Sequence, residues 1–326
     1  MTTETSTVAA APAWLLAALA CPICKGSLAC WDVGLACGAC GGKFGRLAAS
    51  EAPVLLPTRN FVYEPEGAAR DIKSHVQDRF AMIDRSLPQP YGSFATFLNL
   101  GYVADASPQF ATRGPTRPAF GRYCVKLLFE VLGACEIDGG FLVEMGCGRG
   151  GNLALIDRHY ESTRLLGIDL CTANIDFCQQ RHMLSNGGFA VGDVEYAPLR
   201  SACCDVVLNL ESSHYYPDRA RFFREVFRVL KPGGDFLYAD ILGAEEFRDA
   251  ELSCRDAGFL SVLDRDISAN VLLSCEEIAK IKEAQRSVGI YDTFLVVPGS
   301  LEFERLSRGE TRYKILHYRK PGGKLS

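Results

Sequence analysis

A glycine-rich turn between an apolar run and a helical pattern constrains the fold of this chain more than any other stretch. The apolar run Phe141–Val143 is short and partly β-branched, so we expect it to form a buried strand. Four glycines follow between Gly146 and Gly151, and a helical pattern begins at Leu153. Glycines at such a junction let backbone amides approach a ligand without interference from Cβ atoms. The stretch therefore predicts a ligand-binding loop in an α/β fold.

Acidic residues in and after this turn narrow the class of ligand. The strand 165–169 ends in Asp169, about twenty residues beyond the glycines, where nucleotide-binding folds hold a ribose hydroxyl. That acid fits NAD and S-adenosylmethionine (SAM) equally well. Glu144 favours SAM, because it lies inside the glycine motif at a position where dinucleotide folds need no acid. Asp193 also favours SAM, because it ends the third segment and is positioned to accept a hydrogen bond from an adenine amino group.

Taken together, these glycines and acids resemble the motif series of class I SAM-dependent methyltransferases. The resemblance implies a Rossmann-like α/β sheet of seven strands with the last strand antiparallel, and SAM as the cofactor. A Rossmann dehydrogenase is the structural alternative. The residues expected to contact SAM are Glu144, Gly146, Gly148, Asp169, Leu170, Asp193, Val194, Asn209 and Tyr102.

Strand-like and helix-like segments alternate after the glycine turn. This alternation predicts a parallel sheet with helices on both faces and a ligand site at the carboxyl ends of the strands. The further predicted strands are 165–169, 189–191, 204–210, 235–241 and 313–318, and the predicted helices are 117–132, 152–160, 172–184, 218–230 and 276–288.

Four cysteines near the N-terminus have the spacing of a zinc site. Cys21, Cys24, Cys37 and Cys40 form a C-x2-C-x12-C-x2-C pattern, which brings four thiolates around one Zn²⁺ across a hairpin. Because the protein supplies all four ligands, this zinc is expected to be structural. Cysteines without metal, in a redox or core role, are the alternative. The segment 15–57 resembles a bacterial zinc-ribbon family whose eukaryotic relatives are activator subunits of tRNA, rRNA and protein methyltransferases.

The chain is predicted to comprise three parts. Residues 1–58 form the zinc ribbon, 59–116 a linker with a helical and aromatic cap, and 117–326 the SAM-binding domain with a lid insertion near 268–310. Within the second part, 68–85 has the apolar spacing of an amphipathic helix. The aromatic-rich segment 91–102 either packs in the core or covers the SAM pocket, with Asn99 and Tyr102 near the methionine end of the cofactor.

The segment after the fourth strand carries the candidate catalytic residues. Methyl transfer is an in-line displacement, so the enzyme must align two reactants and exclude water. If the acceptor is a hydroxyl group, its proton must be removed, and His214 is the candidate general base. A purely structural hydrogen bond is the alternative role for His214. Glu211 is expected to orient His214, to bind substrate, or to cap the helix that begins near Asp218.

Three stretches make the resemblance more specific. Residues 209–218, 228–234 and 237–240 resemble bacterial natural-product methyltransferases, including O-methyltransferases that act on phthiotriolone lipids and microcystin-type peptides. The likeness covers roughly residues 91–321, and the zinc ribbon departs from it. It implies methyl transfer to a small-molecule secondary metabolite, as in antibiotic and other natural-product biosynthesis, with oxygen as the expected target.

Composition bears on the alternatives. The net charge of −4 and the pI near 5.8 argue against a dedicated nucleic-acid binder. An rRNA or tRNA base methyltransferase with an RNA-facing zinc ribbon, a C-methyltransferase of a lipid-like metabolite and an inactive scaffold protein are the alternatives. The expected partner is a small-molecule acceptor, nucleic acid is disfavoured, and homodimer formation is left open.

The same composition indicates a cytoplasmic protein without a membrane span. The 14 cysteines include many that stand alone among apolar residues, as reduced thiols do. The apolar run that precedes Cys21 lacks the basic residues of a signal peptide, and no other run approaches the length of a membrane span.

Overall fold

The computed structural model describes residues 13–31, 33–57, 68–86, 96–104, 121–133, 135–160, 163–284 and 296–322. Within these ranges the strands are β1 Leu28–Trp31, β2 Gly34–Cys37, β3 Lys43–Phe44, β4 Val54–Leu55, β5 Phe141–Met145, β6 Arg164–Asp169, β7 Gly187–Gly192, β8 Cys204–Leu210, β9 Leu230–Gly243, β10 Leu260–Asp266 and β11 Thr311–Arg319. The α-helices are α1 Ala13–Ala18, α2 Ala68–Ser86, α3 Arg122–Leu132, α4 Gly151–His159, α5 Thr172–Arg181, α6 Arg219–Val229, α7 Ala244–Ala257, α8 Ser268–Ala284 and α9 Leu301–Ser307.

An eight-stranded sheet in the order β10-β11-β9-β8-β5-β6-β7-β4 forms the centre of the molecule. The last strand, β11, is antiparallel to both β9 and β10, while the pairs from β9 to β4 are parallel. The predicted α/β class and the antiparallel last strand are therefore confirmed. Parallel strands separated by helices place their carboxyl ends at one edge, where a ligand site is expected.

The expected count of seven strands is one too low. The eighth strand, β4, comes from the N-terminal region and pairs in parallel with the edge strand β7, with Val54 opposite Val191 and Leu55 opposite Gly192. Without β4, the backbone groups of β7 that face away from β6 would lack strand partners, and β4 supplies part of that pairing. The predicted boundary at residue 58 stays a prediction, but the segment before it contributes to the main sheet.

The N-terminal region also shares its core with the sheet. We call residues 13–57, which contain the four clustered cysteines, the cysteine module. Leu15, Leu19 and Phe44 of this module are buried in the same apolar cluster as Phe141 and other residues of the sheet. The Trp14 ring makes an edge contact with Phe141 at 5.2 Å between centroids. The module is therefore packed onto the large domain rather than tethered beside it.

The observed elements depart from the predicted ones mainly after β9, the strand predicted at 235–241. Helix α7 and strand β10 were not predicted. The residues of β10 are mostly exposed and show no clear alternation of apolar and polar side chains. Helix α8 begins at Ser268, eight residues before the predicted start at residue 276. The predicted linker 59–67, the aromatic residues 91–95 and the end of the predicted helix at 288 lie outside the described residues. No helix in the described part of the chain combines the length and apolarity needed to cross a bilayer.

Candidate active site

The glycine turn between β5 and α4 is shaped by sterics that exclude a side chain. Gly146 has a φ of +76° and Gly148 a φ of +51°, a region that other residues rarely adopt. A Cβ atom at Gly146 would lie 2.0 Å from Ser212 Oγ. The backbone N–H groups of Gly146 and Cys147 donate to Ile168 O at 2.8 and 3.1 Å, so the turn is fixed against β6. The predicted glycine loop is thus present and lies at the carboxyl end of the sheet.

Asp169 lies directly against this turn. Its Oδ2 accepts a hydrogen bond from Gly148 N at 2.8 Å, and its Oδ1 accepts one from Cys171 N at 2.9 Å. Burial raises the pKa of the carboxyl group, although these N–H donors oppose the shift. The next residue, Leu170, accepts a hydrogen bond from Gln77 Nε2 through its carbonyl oxygen at 3.2 Å. The two predicted positions therefore lie between the glycine turn and helix α2.

Glu144 is buried below the turn with one oxygen unused. Its Oε1 accepts a hydrogen bond from Asn152 Nδ2 at 2.7 Å, and burial raises its pKa to about 8. Among the described residues, Glu144 Oε2, Asn152 Oδ1 and Asn209 Oδ1 are buried acceptors without a hydrogen-bond partner. Unpaired buried acceptors are costly, so a ligand that carries donor groups fits this position.

Asn209 joins the ends of β5 and β8. Its Nδ2 donates to Met145 O at 2.6 Å and to Tyr216 Oη at 3.0 Å, while the Tyr216 hydroxyl also contacts Ser212 Oγ at 2.7 Å. The residue is fully buried. The structure therefore brings Asn209 to the same edge as Glu144 and the glycine turn, as the sequence predicted.

Asp193 lies at the end of β7 and is paired with a lysine that the sequence did not indicate. Lys73 Nζ of α2 lies 2.6 Å from Asp193 Oδ2 and also contacts Glu195 Oε2. Asp193 Oδ1 accepts a hydrogen bond from Glu195 N at 3.0 Å, which caps the short turn that begins at Val194. The side chains of Lys73, Asp193 and Glu195 are buried, as is that of Val194. The predicted adenine acceptor is therefore also an anchor for α2.

The segment from Thr96 to Ala104 covers the glycine turn. Thr96 O accepts a hydrogen bond from Gly151 N at 3.3 Å, and Leu98 Cδ1 lies 3.3 Å from the position that a Cβ of Gly148 would take. Tyr102 is buried further along the segment: its N–H donates to Tyr123 O at 3.0 Å and its ring lies 5.9 Å from the Arg265 guanidinium. A contact between Tyr102 and the cofactor stays a prediction.

His214 is held by a buried carboxylate, Asp240. His214 Nδ1 lies 2.7 Å from Asp240 Oδ1, and the backbone N–H of His214 donates to Asp240 Oδ2 at 3.1 Å. Ser213 Oγ donates to the same Oδ2 at 2.6 Å. Burial acts to lower the pKa of His214, but the Asp240 carboxylate outweighs it, so the pKa is raised. Since Nδ1–H of His214 donates a hydrogen bond to the Asp240 carboxylate, the neutral imidazole presents Nε2 as an acceptor.

Glu211 has a different neighbourhood from the one predicted. Its Oε1 accepts hydrogen bonds from Leu100 N and Tyr313 Oη, both at 2.7 Å, and burial raises its pKa to about 7. Asp240 rather than Glu211 holds the imidazole of His214, and Asp218 caps α6 by accepting from Arg221 N at 2.8 Å. Of the three roles predicted for Glu211, contact with the substrate is the one that stays a prediction.

Aromatic side chains, one of them from α2, lie beside His214. The Tyr215 ring lies 4.1 Å from the His214 ring, and Phe80 of α2 meets Tyr215 edge-on at 5.9 Å. Lys73, Gln77 and Phe80 follow at helical spacing, so one face of α2 extends from Asp193 past the end of β6 to Tyr215. The helix predicted at 68–85 is confirmed, but its buried face includes Lys73 and leaves Ile72 41% exposed.

The four cysteines of the module form a compact cluster. Their Sγ atoms all lie within 4.8 Å of one another, with Cys21 to Cys40 at 3.6 Å and Cys24 to Cys37 at 3.5 Å. Tetrahedral zinc with Zn–S bonds of about 2.3 Å places its sulfurs about 3.8 Å apart. The hairpin of β1 and β2 that the sequence predicted brings the two pairs together. The donor set therefore fits a tetrahedral Zn²⁺.

Comparison with known proteins gives consistent matches over this region. A family model described as a methyltransferase domain matches residues 143–238. A fatty-acid O-methyltransferase of Mycolicibacterium smegmatis is 30% identical over 230 residues, which cover 69% of this chain and 83% of the relative. A phthiotriol/phenolphthiotriol dimycocerosates methyltransferase of Mycobacterium ulcerans is 33% identical over 230 residues, which cover 71% of this chain and 80% of the relative.

Solved structures show the same fold at lower identity. The cyclase SpnF superposes with a TM-score of 0.60 at 21% identity, over 77% of this chain and 97% of that one. A geranyl diphosphate C-methyltransferase from Streptomyces coelicolor, solved with S-adenosyl-L-homocysteine, gives a TM-score of 0.56 at 16% identity, over 79% and 100% of the two chains. The sheet order, the glycine turn with its acids and the two mycobacterial relatives together establish that the chain belongs to the family of SAM-dependent methyltransferases that includes those relatives.

Proposed function

We propose that this protein transfers the methyl group of SAM to an oxygen of a small, lipid-like secondary metabolite. The observation that carries the proposal is the His214–Asp240 pair at the carboxyl end of the sheet, 2.7 Å apart and next to the predicted SAM site. A hydroxyl acceptor must lose a proton when it is methylated, and a paired histidine is suited to remove it.

In this mechanism the residues of the chain align the acceptor and handle its proton. SAM supplies an electrophilic methyl group, and the acceptor oxygen must approach it in line. His214 Nε2 takes the hydroxyl proton, while the buried Asp240 keeps the imidazole oriented and stabilises the imidazolium that forms. Segment 96–104 lies against the glycine turn and helix α2 beside Tyr215, where they would limit the access of water to the reacting groups.

The residues around the glycine turn would hold the cofactor. Asp169 would accept from the ribose hydroxyls and Asp193 from the adenine amino group, each while keeping its present partners. The unpaired Oδ1 of Asn209, and Oε2 of Glu144 once its carboxyl group has lost its proton, would accept hydrogen bonds from cofactor donors. Because each carboxylate oxygen accepts more than one hydrogen bond, these roles are compatible with the contacts already formed.

The acceptor side of the site favours an apolar molecule. Phe80 and Tyr215 contribute aromatic surface near His214. The relatives are named for fatty-acid and phthiotriol or phenolphthiotriol dimycocerosate substrates, which are lipids. Both observations support a lipid-like acceptor.

We also propose that the cysteine module binds one structural Zn²⁺. Cys21, Cys24, Cys37 and Cys40 would fill all four positions of a tetrahedral ion, which leaves no open position for catalysis. The module is too small to be stable on a core of its own, so a metal would contribute directly to its folding. We propose, in addition, that the module is a zinc ribbon.

Substitution of His214 tests the proposed base. His214→Ala should lower turnover by about 100-fold or more while leaving the affinity for S-adenosylhomocysteine (SAH) unchanged, because the side chain acts on the acceptor. Turnover is measured with methyl-labelled SAM and SAH affinity by calorimetry. The matched control is His317→Ala, because His317 forms a similar 2.7 Å pair with Asp235 at the opposite end of the sheet. Undiminished turnover in His214→Ala would remove the base from the proposal.

A further inference from the structure

The loop 193–200, which follows β7, is fixed on two sides by lysines from the N-terminal part of the chain. Lys73 of α2 pairs with Asp193 and Glu195 at its start. Lys25 of the cysteine module reaches the middle of the loop, where its Nζ donates to Ala197 O at 3.1 Å. The loop begins with the residue assigned above to the adenine amino group, so its position bears on cofactor binding.

Lys25 belongs to the metal-binding turn itself. It follows Cys24 directly, has a φ of +62°, and its backbone N–H donates to Cys21 O at 2.8 Å. Its conformation is therefore tied to the turn that presents the first two cysteine thiols. The Lys25 side chain is 27% exposed, and its Nζ lies 2.8 Å from Glu225 Oε2 on α6.

A second cation completes the contact between the module, α6 and the loop. Arg228 binds both carboxylate oxygens of Glu225, at 2.7 and 2.9 Å. Its guanidinium also donates to Leu199 O at 2.7 Å and to Ala197 O at 3.0 Å. Ala197 O therefore accepts from both Lys25 and Arg228, and Glu225 keeps the two cations in place.

Backbone hydrogen bonds from the module continue along the same loop. Ala20 N donates to Pro198 O at 2.9 Å, and Arg200 N donates to Ala18 O at 3.0 Å. Leu19 and Leu199 form an isolated antiparallel bridge between them. The carbonyl groups of three consecutive loop residues, 197 to 199, are thus bound by the module or by Arg228.

We infer that the cysteine module positions the adenine-binding loop, with Lys25 as the positioning residue, so that metal binding by the module sets the affinity for the cofactor. The inference rests on the proposed role of Asp193 and on the proposed zinc. A module that loses its metal no longer fixes the Cys21–Lys25 turn, and the Lys25 contact with the loop is lost with it. The loop then pays more conformational entropy when the cofactor binds.

Calorimetric titration of the full-length protein with SAH tests this positioning role. Lys25→Met should weaken SAH binding by about tenfold, since the loop loses a donor on the side opposite Lys73. Lys25→Arg should recover most of the affinity, because a guanidinium also reaches Ala197 O and Glu225. Lys43→Met is the matched control: Lys43 lies in the module at 4.0 Å from the Trp31 ring, and its loss should leave SAH affinity unchanged. Zinc content is measured in each variant and should stay the same.

Removal of zinc from the wild-type protein supplies the second arm. Chelation should weaken SAH binding at least as much as Lys25→Met does, and Zn²⁺ alone should restore it. A Lys25→Met variant with unchanged SAH affinity and a lower melting temperature would overturn the inference, because Lys25 would then only stabilise the fold. A zinc-loaded wild-type protein that fails to bind SAH would overturn the proposed cofactor site itself, which distinguishes the two failures.

Discussion

Asp240 governs how His214 titrates, and this has a measurable consequence at the scale of single residues. The carboxylate is fully buried and raises the pKa of His214 against the opposing effect of burial. A general base works only in its neutral form, so turnover should decline as the pH falls through this raised pKa. The acid limb of the rate profile is therefore expected above the ordinary histidine value of 6.5.

Asp240→Asn should move that limb to lower pH. Removing the negative charge removes the cause that raises the pKa of His214, so the imidazole stays neutral further into the acid range. Turnover at the optimum should also fall, because the imidazolium loses its counter-ion. The check is a profile of turnover against pH for both proteins; an acid limb at the same pH in the variant would show that Asp240 does not control the base.

Glu144 should make the stability of the cofactor-free enzyme depend on pH. Burial raises its pKa from 4.5 to about 8, so the folded state binds a proton that the unfolded state has released. The resulting stability is fully present below pH 4.5 and is lost as the pH rises towards 8. Denaturant unfolding at several pH values should show this decline in the wild type and a flatter curve in Glu144→Gln. Parallel curves for the two proteins would contradict a raised pKa at Glu144.

The sequence predicted the proposed cofactor-binding residues better than the proposed catalytic pair, His214 and Asp240. Asp169 and Gly148 follow a fixed spacing around one strand–turn–helix unit, so local pattern was sufficient to place them together. Asp240 lies in the predicted strand 235–241, but the sequence did not indicate its pairing with His214, which depends on the register between β8 and β9. Leu210 lies opposite Ala239, and this pairing brings Asp240 beside His214. The register between two strands cannot be predicted from the local sequence pattern of either one.

At the scale of elements, helix α2 is anchored to the sheet end by Gln77, Phe80 and, through two ion pairs, the buried Lys73. Lys73 is 5% exposed and compensates Asp193 and Glu195, both of which are buried. Its role was not predictable from the helical pattern, because the acids lie more than a hundred residues away along the chain. The amphipathic pattern identified the helix, whereas the charge pair determined which face is buried.

Lys73→Met should therefore destabilise the protein by about 3 kcal/mol, because it removes the buried lysine that pairs with two buried carboxylates. The double variant Lys73→Met/Glu195→Gln should recover part of the loss, since one of the two carboxylates that paired with Lys73 is then neutral. Lys280→Met is the control, because the exposed Lys280–Glu277 pair on α8 contributes little. Denaturant unfolding measures the stability of all three variants. A loss of stability in Lys73→Met no larger than that of the control would mean that α2 does not depend on the ion pairs of Lys73.

At the scale of the whole molecule, the cysteine module and the methyltransferase domain share one core and one sheet. The predicted zinc ribbon appeared in the sequence as a separate unit, because its cysteine spacing is self-contained. Its contribution of β4 to the main sheet could not be predicted, since a strand of two apolar residues has no pattern that identifies its partner strand. The same limit applies to β10, whose exposed residues lack the alternation of a half-buried strand.

Because the core is continuous, the chain should unfold in a single transition that depends on zinc. One Zn²⁺ per chain is expected by metal analysis. Cys37→Ser should lose that metal and lower the melting temperature of the entire protein, since Cys37 is buried in the shared cluster. Cys30→Ser, at an exposed cysteine outside the cluster of four, is the control. Two separate calorimetric transitions would contradict the shared core, and a fully stable protein without zinc would contradict the proposed structural metal.

Methyl transfer to a small acceptor is tested most directly with methyl-labelled SAM, the purified enzyme and an extract of the producing cells. RNA, protein and organic-soluble metabolites are separated after the reaction, with His214→Ala as the matched control. We expect label in the organic-soluble fraction, bound to oxygen by mass spectrometry, and much less of it with the variant. Label in the RNA fraction, or on a carbon atom of the metabolite, would contradict O-methylation of a small lipid-like acceptor.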